Sequence, residues 1–267
     1  MTRTLAWVGA ALVLAAPARA SAQAVFHSHQ AANLPTAETL PGGSWLFEIS
    51  HRFDTPFSDG ASALWGLDGP VRNRLGLTYA PTGSLMLQLQ RSNYEDNVDL
   101  NAKLSVFEGG PTDLPVEVAV LGGIAWNTQV FETAGAEDNE SQAYAQLILN
   151  AMAGERLAFG VVPTWLHNPR ILDVEADDAF VLGFNGQAYL TDAISFLAEW
   201  IVTEPRQGLE HDPVTLGFEI ETRGHFFKLL VTNQARMNPT QYLAGTPTSF
   251  APEDWRFGFN ITRLLPF

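Results

Sequence analysis

Apolar and polar residues alternate with a period of two along most of this chain, and that period limits what it can fold into. Between Val98 and Val106, Val98, Leu100, Ala102, Leu104 and Val106 share one parity, while Asp99, Asn101, Lys103 and Ser105 share the other. Side chains of a β-strand point alternately to its two faces, so this is a strand with one apolar and one polar side. The pattern recurs in Ile194, Phe196, Ala198, Trp200 and Val202, which oppose Ser195 and Glu199. It recurs again in Val214, Leu216, Phe218 and Ile220, which oppose Thr215, Glu219 and Glu221. Carried through, it predicts about twelve strands, over 45–53, 71–81, 84–92, 97–107, 115–127, 141–153, 155–166, 178–190, 193–203, 213–223, 225–234 and 255–266. No helical period of comparable length competes.

The connections sort into two kinds. Pro81 to Gly83, Gly154, Thr191-Asp192 and Arg223-Gly224 are tight turns, and Glu108 to Leu114 is a short Gly/Pro link. The other side has mostly longer loops, among them Asp54 to Pro70 and Ala235 to Asp254. Short turns on one side and long loops on the other are the mark of an outer-membrane barrel, whose strands need about 9–11 residues to cross the bilayer. On the apolar parity, Phe53, Trp126, Trp165, Trp200 and Trp255 fall at the long-loop ends, and Trp45, Tyr79, Phe227 and Phe267 at the short-turn ends. These form two aromatic girdles around an aliphatic band. The fold expected is all-β: a single closed antiparallel transmembrane β-barrel, with short periplasmic turns and long external loops. Closure through the first and last strands is required, because an open edge in lipid leaves backbone groups unpaired.

The first residues read as an address. Arg3 precedes the short apolar run Leu5 to Ala16, and small residues follow at Ala18-Arg19-Ala20 and Ala22-Gln23-Ala24. That is a secretory signal peptide over 1–24, cleaved after Ala20 or Ala24. Residues 25–44 are then expected as an N-terminal periplasmic lead, and 45–267 as the barrel. The chain has 29 acidic and 15 basic residues, for a formal charge of -14. Such a balance argues against nucleic acid as a partner. The absence of cysteine excludes disulfide frameworks, thiolate metal sites and thiol catalysis.

Several segments resemble an uncharacterised family of bacterial membrane-bound outer-membrane β-barrel proteins of unknown function. They are Glu38 to Gly43, Ile49 to Phe53 with Gly60, Leu64-Trp-Gly-Leu-Asp68, Arg74 to Tyr79, Gln90 to Asn93, Val231 to Asn238 and Arg256 to Arg263. The resemblance implies an outer-membrane barrel and assigns no activity or substrate. The amphipathic last strand ending at Phe267 is similar to the signature by which the barrel-assembly machinery recognises its clients. Outer-membrane lipid and lipopolysaccharide are the other expected partners.

Candidate chemistry is sparse. Ser50 and His51 are adjacent in a strand, point to opposite faces and so cannot act as nucleophile and base. His27 and His29 are too few for a structural zinc site. The acidic runs Glu132 to Glu140 and Asp173 to Asp178 lack the Gly-punctuated spacing of a calcium loop, so they read as solvated loops. No catalytic residue, metal or cofactor is expected. The lumen candidates are Glu48, Arg52, Arg74, Asp99, Lys103, Glu117, Glu199, Glu219, Glu221, Lys228 and Arg256, all on the polar parity. Arg52, Arg74 and Arg256 are expected to form a basic cluster inside the outer mouth. The leading expectation is passive or gated passage of small polar solutes. The first alternative is a closed structural barrel that binds a protein partner with its external loops, and the second is a barrel hydrolase.

Overall fold

A computed structural model describes residues 24–129, 141–171 and 177–265. Twelve antiparallel strands close into a barrel: β1 (Trp45–Phe53), β2 (Val71–Thr82), β3 (Leu85–Ser92), β4 (Asn97–Gly109), β5 (Val116–Asn127), β6 (Ser141–Ala153), β7 (Leu157–His167), β8 (Asp178–Tyr189), β9 (Ile194–Val202), β10 (Val214–Thr222), β11 (His225–Thr232) and β12 (Arg256–Leu265). Each strand pairs with its sequence neighbours, and β1 closes on β12 from Trp45↔Leu265 to Arg52↔Gly258. The alternating pattern sets the faces. Leu89, Leu100, Phe180, Trp200 and Leu229 stand exposed on the outer wall, while Glu48, Asp99, Lys103, Glu199 and Lys228 are buried inside. Among the girdle residues, Trp45 packs against Tyr79 with ring centroids 4.6 Å apart, and Trp126 is exposed outward. The signal segment, the acidic run Glu132 to Glu140 and Phe267 lie outside the described residues.

Two irregularities depart from strict alternation. A bulge in β4 between Ser105 and Phe107 turns both Val106 and Phe107 outward, although the period alone puts Phe107 inside. In β7, the pairing to β6 runs Gln146↔Thr164 and resumes at Leu149↔Val161. Between them sits Pro163, which has no N–H to give to the ladder.

The larger departure concerns residues 25–44. The sequence suggests a periplasmic lead ahead of the barrel, but Val25 to Ala37, apart from the exposed His27 near its base, are buried inside it. They form a narrow hairpin, bridged at Gln30↔Pro35 and turned through Ala31–Leu34, where Ala31 N donates to Leu34 O at 2.9 Å. The physical reason is written in the segment itself. No charged residue occurs from Val25 to Ala37, so desolvating it costs no ionised side chain. The inner face of β5 to β9 is also less polar than the lumen candidates imply. Leu121, Ile148, Val162, Leu166, Val181 and Ile201 form an apolar cluster with Leu34 and Ala37 of the hairpin.

Candidate functional site: a lumen filled by its own chain

The hairpin enters and leaves at the short-turn side, and its tip reaches the outer half of the barrel. At the base, Val25 N donates to Glu117 Oε1 at 3.1 Å, and Tyr189 Oη donates to Val25 O at 3.2 Å. The His27 ring stacks on Tyr189 at 4.3 Å, and its Nδ1 lies 2.8 Å from Glu221 Oε2. Higher up, the chain's two lysines hold the hairpin backbone. Lys103 Nζ donates to the carbonyls of His29 (3.0 Å), Thr36 (2.8 Å) and Glu38. Lys228 Nζ donates to Ser28 Oγ at 3.0 Å and to the carbonyls of Gln30 and Ala31.

Glu199 grips the tip. Its Oε1 accepts the backbone N–H groups of Ala32, Asn33 and Leu34 at 2.7, 2.8 and 2.8 Å, and its Oε2 accepts Asn33 Nδ2 at 3.0 Å. Successive N–H groups converging on one carboxylate make an anion nest, with the anion supplied by the barrel wall. Arg52 Nη2 donates to Asn33 Oδ1 at 3.0 Å, and Asn260 Nδ2 to Ala32 O at 2.7 Å. Glu48 forms a buried ion pair with Arg74 and accepts from Gln30 Nε2 at 3.0 Å. Leu34 fills the notch left by Gly183, where a Cβ would approach both Leu34 Cδ atoms within 3 Å.

A second element closes the outer mouth. The chain from Asn233 to Thr246 folds inward around α1 (Pro239–Tyr242), burying Met237, Tyr242 and Leu243. Arg74 Nη1 donates to Met237 O, and Asn238 Nδ2 donates to Asn97 O at 3.1 Å. Tyr242 and Leu34 belong to the same apolar cluster, so cap and hairpin tip meet. Between hairpin, cap and polar wall remains a void of about 20 Å³, lined in part by His29, Arg74, Lys103 and Tyr242. That is room for about one water molecule.

The candidate residues therefore divide by height. Glu117 and Glu221 sit at the hairpin base; Glu48, Lys103, Lys228 and Glu219 line its middle; Arg52, Arg74 and Glu199 surround its tip. Glu219 Oε1 accepts Gln187 Nε2 at 2.7 Å, and Asp99 Oδ1 accepts Tyr144 Oη at 3.0 Å. The basic cluster at the mouth needs correction. Arg52 and Arg74 are fully buried beneath the cap, held by Asn33 and Glu48 rather than facing the opening. Arg256 stands above the cap with Arg72 and Arg236. Arg72 has the inward parity and was legible from β2; Arg236 lies in a loop, where parity says nothing. Ser50 Oγ turns inward onto Glu48, whereas His51 lies on the outer wall against Phe259 at 4.5 Å, so the two do not meet. His27 pairs with Glu221 while His29 is buried in the hairpin, and no cluster of three metal-ligating side chains occurs among the described residues.

Strand number, closure and an apolar outer wall define a membrane-bound β-barrel of the outer-membrane type. The chain belongs to the family described as membrane bound beta barrel domain (DUF5777), whose model matches residues 26–265. The match takes in the lumenal hairpin as well as the strands. No curated protein matches the sequence. Among solved structures, an outer-membrane channel from Pseudomonas putida F1 is 13% identical, with a TM-score of 0.50 over 86% of this chain and 98% of that one. The NanC porin is 8% identical, with a TM-score of 0.48 over 83% and 98%. Outer-membrane phospholipase A from Escherichia coli is 11% identical, with a TM-score of 0.43 over 84% and 90%. At these identities the likenesses concern the fold alone.

Proposed function

We propose that this protein is a gated outer-membrane channel for small polar solutes, held closed by its own N-terminal hairpin. The observation that carries this reading is how the hairpin is held. Wall side chains grip its backbone by hydrogen bonds to Lys103, Lys228 and Glu199, as a bound peptide is gripped. No strand of the barrel includes it, so the twelve-strand ladder stays closed if it leaves.

A disulfide lock tests the reading. A Cβ at position 183 lies 3.4 Å from Leu34 Cγ. Leu34→Cys with Gly183→Cys therefore places the two sulfurs close to bonding distance, and the native chain has no cysteine to interfere. In planar bilayers the oxidised protein is expected to be silent and the reduced protein to show voltage-dependent conductance steps. Equal silence in both states rejects the gate. Equal conductance in both states means that solute bypasses the hairpin.

A closed, partner-binding barrel is the second reading, and one observation favours it. The 3-10 segment Phe57–Gly66 between β1 and β2 displays Phe57, Leu64 and Trp65, with Leu67 beyond it, on the outer surface. Leu64 and Trp65 hold left-handed backbone angles (φ 46° and 52°), an expensive conformation for bulky side chains. If the reduced lock is silent, capture of a partner that Leu64→Ser with Trp65→Ser abolishes would carry this alternative.

A further inference from the structure

Above the cap, three arginines converge on a cleft of about 410 Å³ that opens to the outside. Arg72 comes from β2, Arg236 from the cap and Arg256 from β12. The Arg72 and Arg236 guanidiniums both lie over the Tyr94 ring, at 4.8 and 4.7 Å from its centroid. Such stacking holds a guanidinium in one plane while leaving its N–H edge free. Arg236 Nη2 donates to Tyr94 Oη at 3.0 Å. Arg256 is fixed by backbone and hydroxyl acceptors, with Nε on Asp54 O at 3.0 Å and Nη1 on Thr248 Oγ1 at 3.2 Å and Asp254 O at 2.8 Å.

The local charge is not balanced. Arg72 Nε pairs with the Asp54 carboxylate at 2.9 Å. Glu95 is the other nearby carboxylate: burial pushes its pKa up, and the charges of Arg236 and Arg72 pull it down, so two carboxylates face three guanidiniums. Neither Arg236 nor Arg256 has a carboxylate within ion-pair distance among the described residues. Both Nη groups of Arg72, Nε and Nη1 of Arg236, and Nη2 of Arg256 make no hydrogen bond there. Three half-buried guanidiniums with unused N–H groups thus line one cleft, in a chain whose net charge is -14.

We propose that this external cleft is a binding site for an oxyanion group, a phosphate or carboxylate, carried either by a lipid headgroup of the outer leaflet or by a free solute. Planar guanidiniums presenting paired N–H groups match the oxygens of such a group, and the stacked ring pre-orients two of them. The proposal does not rest on the channel reading. The cleft lies outside the cap, and it is complete while the hairpin is docked.

The test is calorimetric titration of inorganic pyrophosphate into the folded protein in dodecyl maltoside micelles at low ionic strength. The parent is expected to bind. Arg236→Gln and Arg256→Gln are each expected to weaken binding at least tenfold, and Arg206→Gln, an external arginine paired with Asp177 away from the cleft, to leave it unchanged. Heat-shift on gels checks that each variant is folded. If the Gln variants do not fold, Arg236→Lys and Arg256→Lys keep the charge and lose the fork, and a severalfold loss is expected of them. Adding lipid A to the micelles separates the sources. A tenfold weaker apparent affinity for pyrophosphate identifies the headgroup, and an unchanged one identifies a free anion. No binding by the parent at millimolar pyrophosphate, or variants that bind as the parent does, would overturn the proposal. Repeating the titration on the oxidised Leu34→Cys, Gly183→Cys barrel keeps this outcome separate from any failure of the gate.

Discussion

Glu199→Ala is the substitution that should loosen the hairpin most selectively. In the parent, one carboxylate satisfies three consecutive backbone N–H groups and the Asn33 amide. Removing it strands three buried donors, each at about 1–3 kcal/mol. Even the low end, about 3 kcal/mol, is on the order of a hundredfold in the docking equilibrium. The barrel itself should tolerate the change, because the variant no longer buries that carboxylate and the strand ladder does not use the side chain. Two readouts apply. Channel open probability in planar bilayers should rise by about two decades. In an Ala32→Cys background, a membrane-impermeant thiol reagent should label the otherwise buried tip at a rate raised by a similar factor. Unchanged labelling of Cys at position 32 together with unchanged conductance would refute the idea that Glu199 latches the tip. Faster labelling without conductance would leave the latch in place and reject the gate.

Two further outcomes follow from the wall. Pro163→Val restores the missing N–H opposite Leu147, so the gel heat-shift midpoint should rise, reflecting about 0.5–1.5 kcal/mol from one ladder bond; a fall would mean that the break in pairing has another cause. Glu48→Gln leaves Arg74 buried without its counter-charge and should destabilise the fold by about 3–5 kcal/mol in urea unfolding. The double substitution Glu48→Gln, Arg74→Met should recover much of that loss, and a strictly additive loss would show that the two side chains do not act as a pair.

The wall was legible because its environment imposes one rule on every strand. Val98 to Val106 alternate in sequence because one side faces lipid and the other faces the lumen, so parity alone placed Glu48, Lys103, Glu199 and Lys228 inside. The contents of the lumen follow no such rule. Residues 25–37 have no period, and their conformation is set by Lys103, Lys228 and Glu199, which lie 67 or more positions from the groups they hold there. A signal was present nonetheless. A stretch free of charged residues is a poor candidate for a tail bathed in the periplasm, and inward lysines need acceptors that neighbouring strands do not all supply. The mouth was misjudged for a related reason. Parity gives the side of the wall but not the height at which the cap closes, so Arg52, Arg74 and Arg256 read as one cluster inside the mouth while Arg236 could not be read at all. At Phe107, a bulge reversed the parity itself.

The placement of Lys103 and Lys228 has a practical consequence. The chain has no other lysine, and both ammonium groups are buried against hairpin carbonyls. Neither aqueous face then offers a lysine amine to solvent. A lysine-specific protease applied to intact cells would pass this protein over while the hairpin is docked, and an amine-directed label would find no lysine side chain to modify. Were the hairpin to leave as proposed, two lysine amines would appear in the lumen, and reactivity that ordinarily reports abundance would become a record of opening.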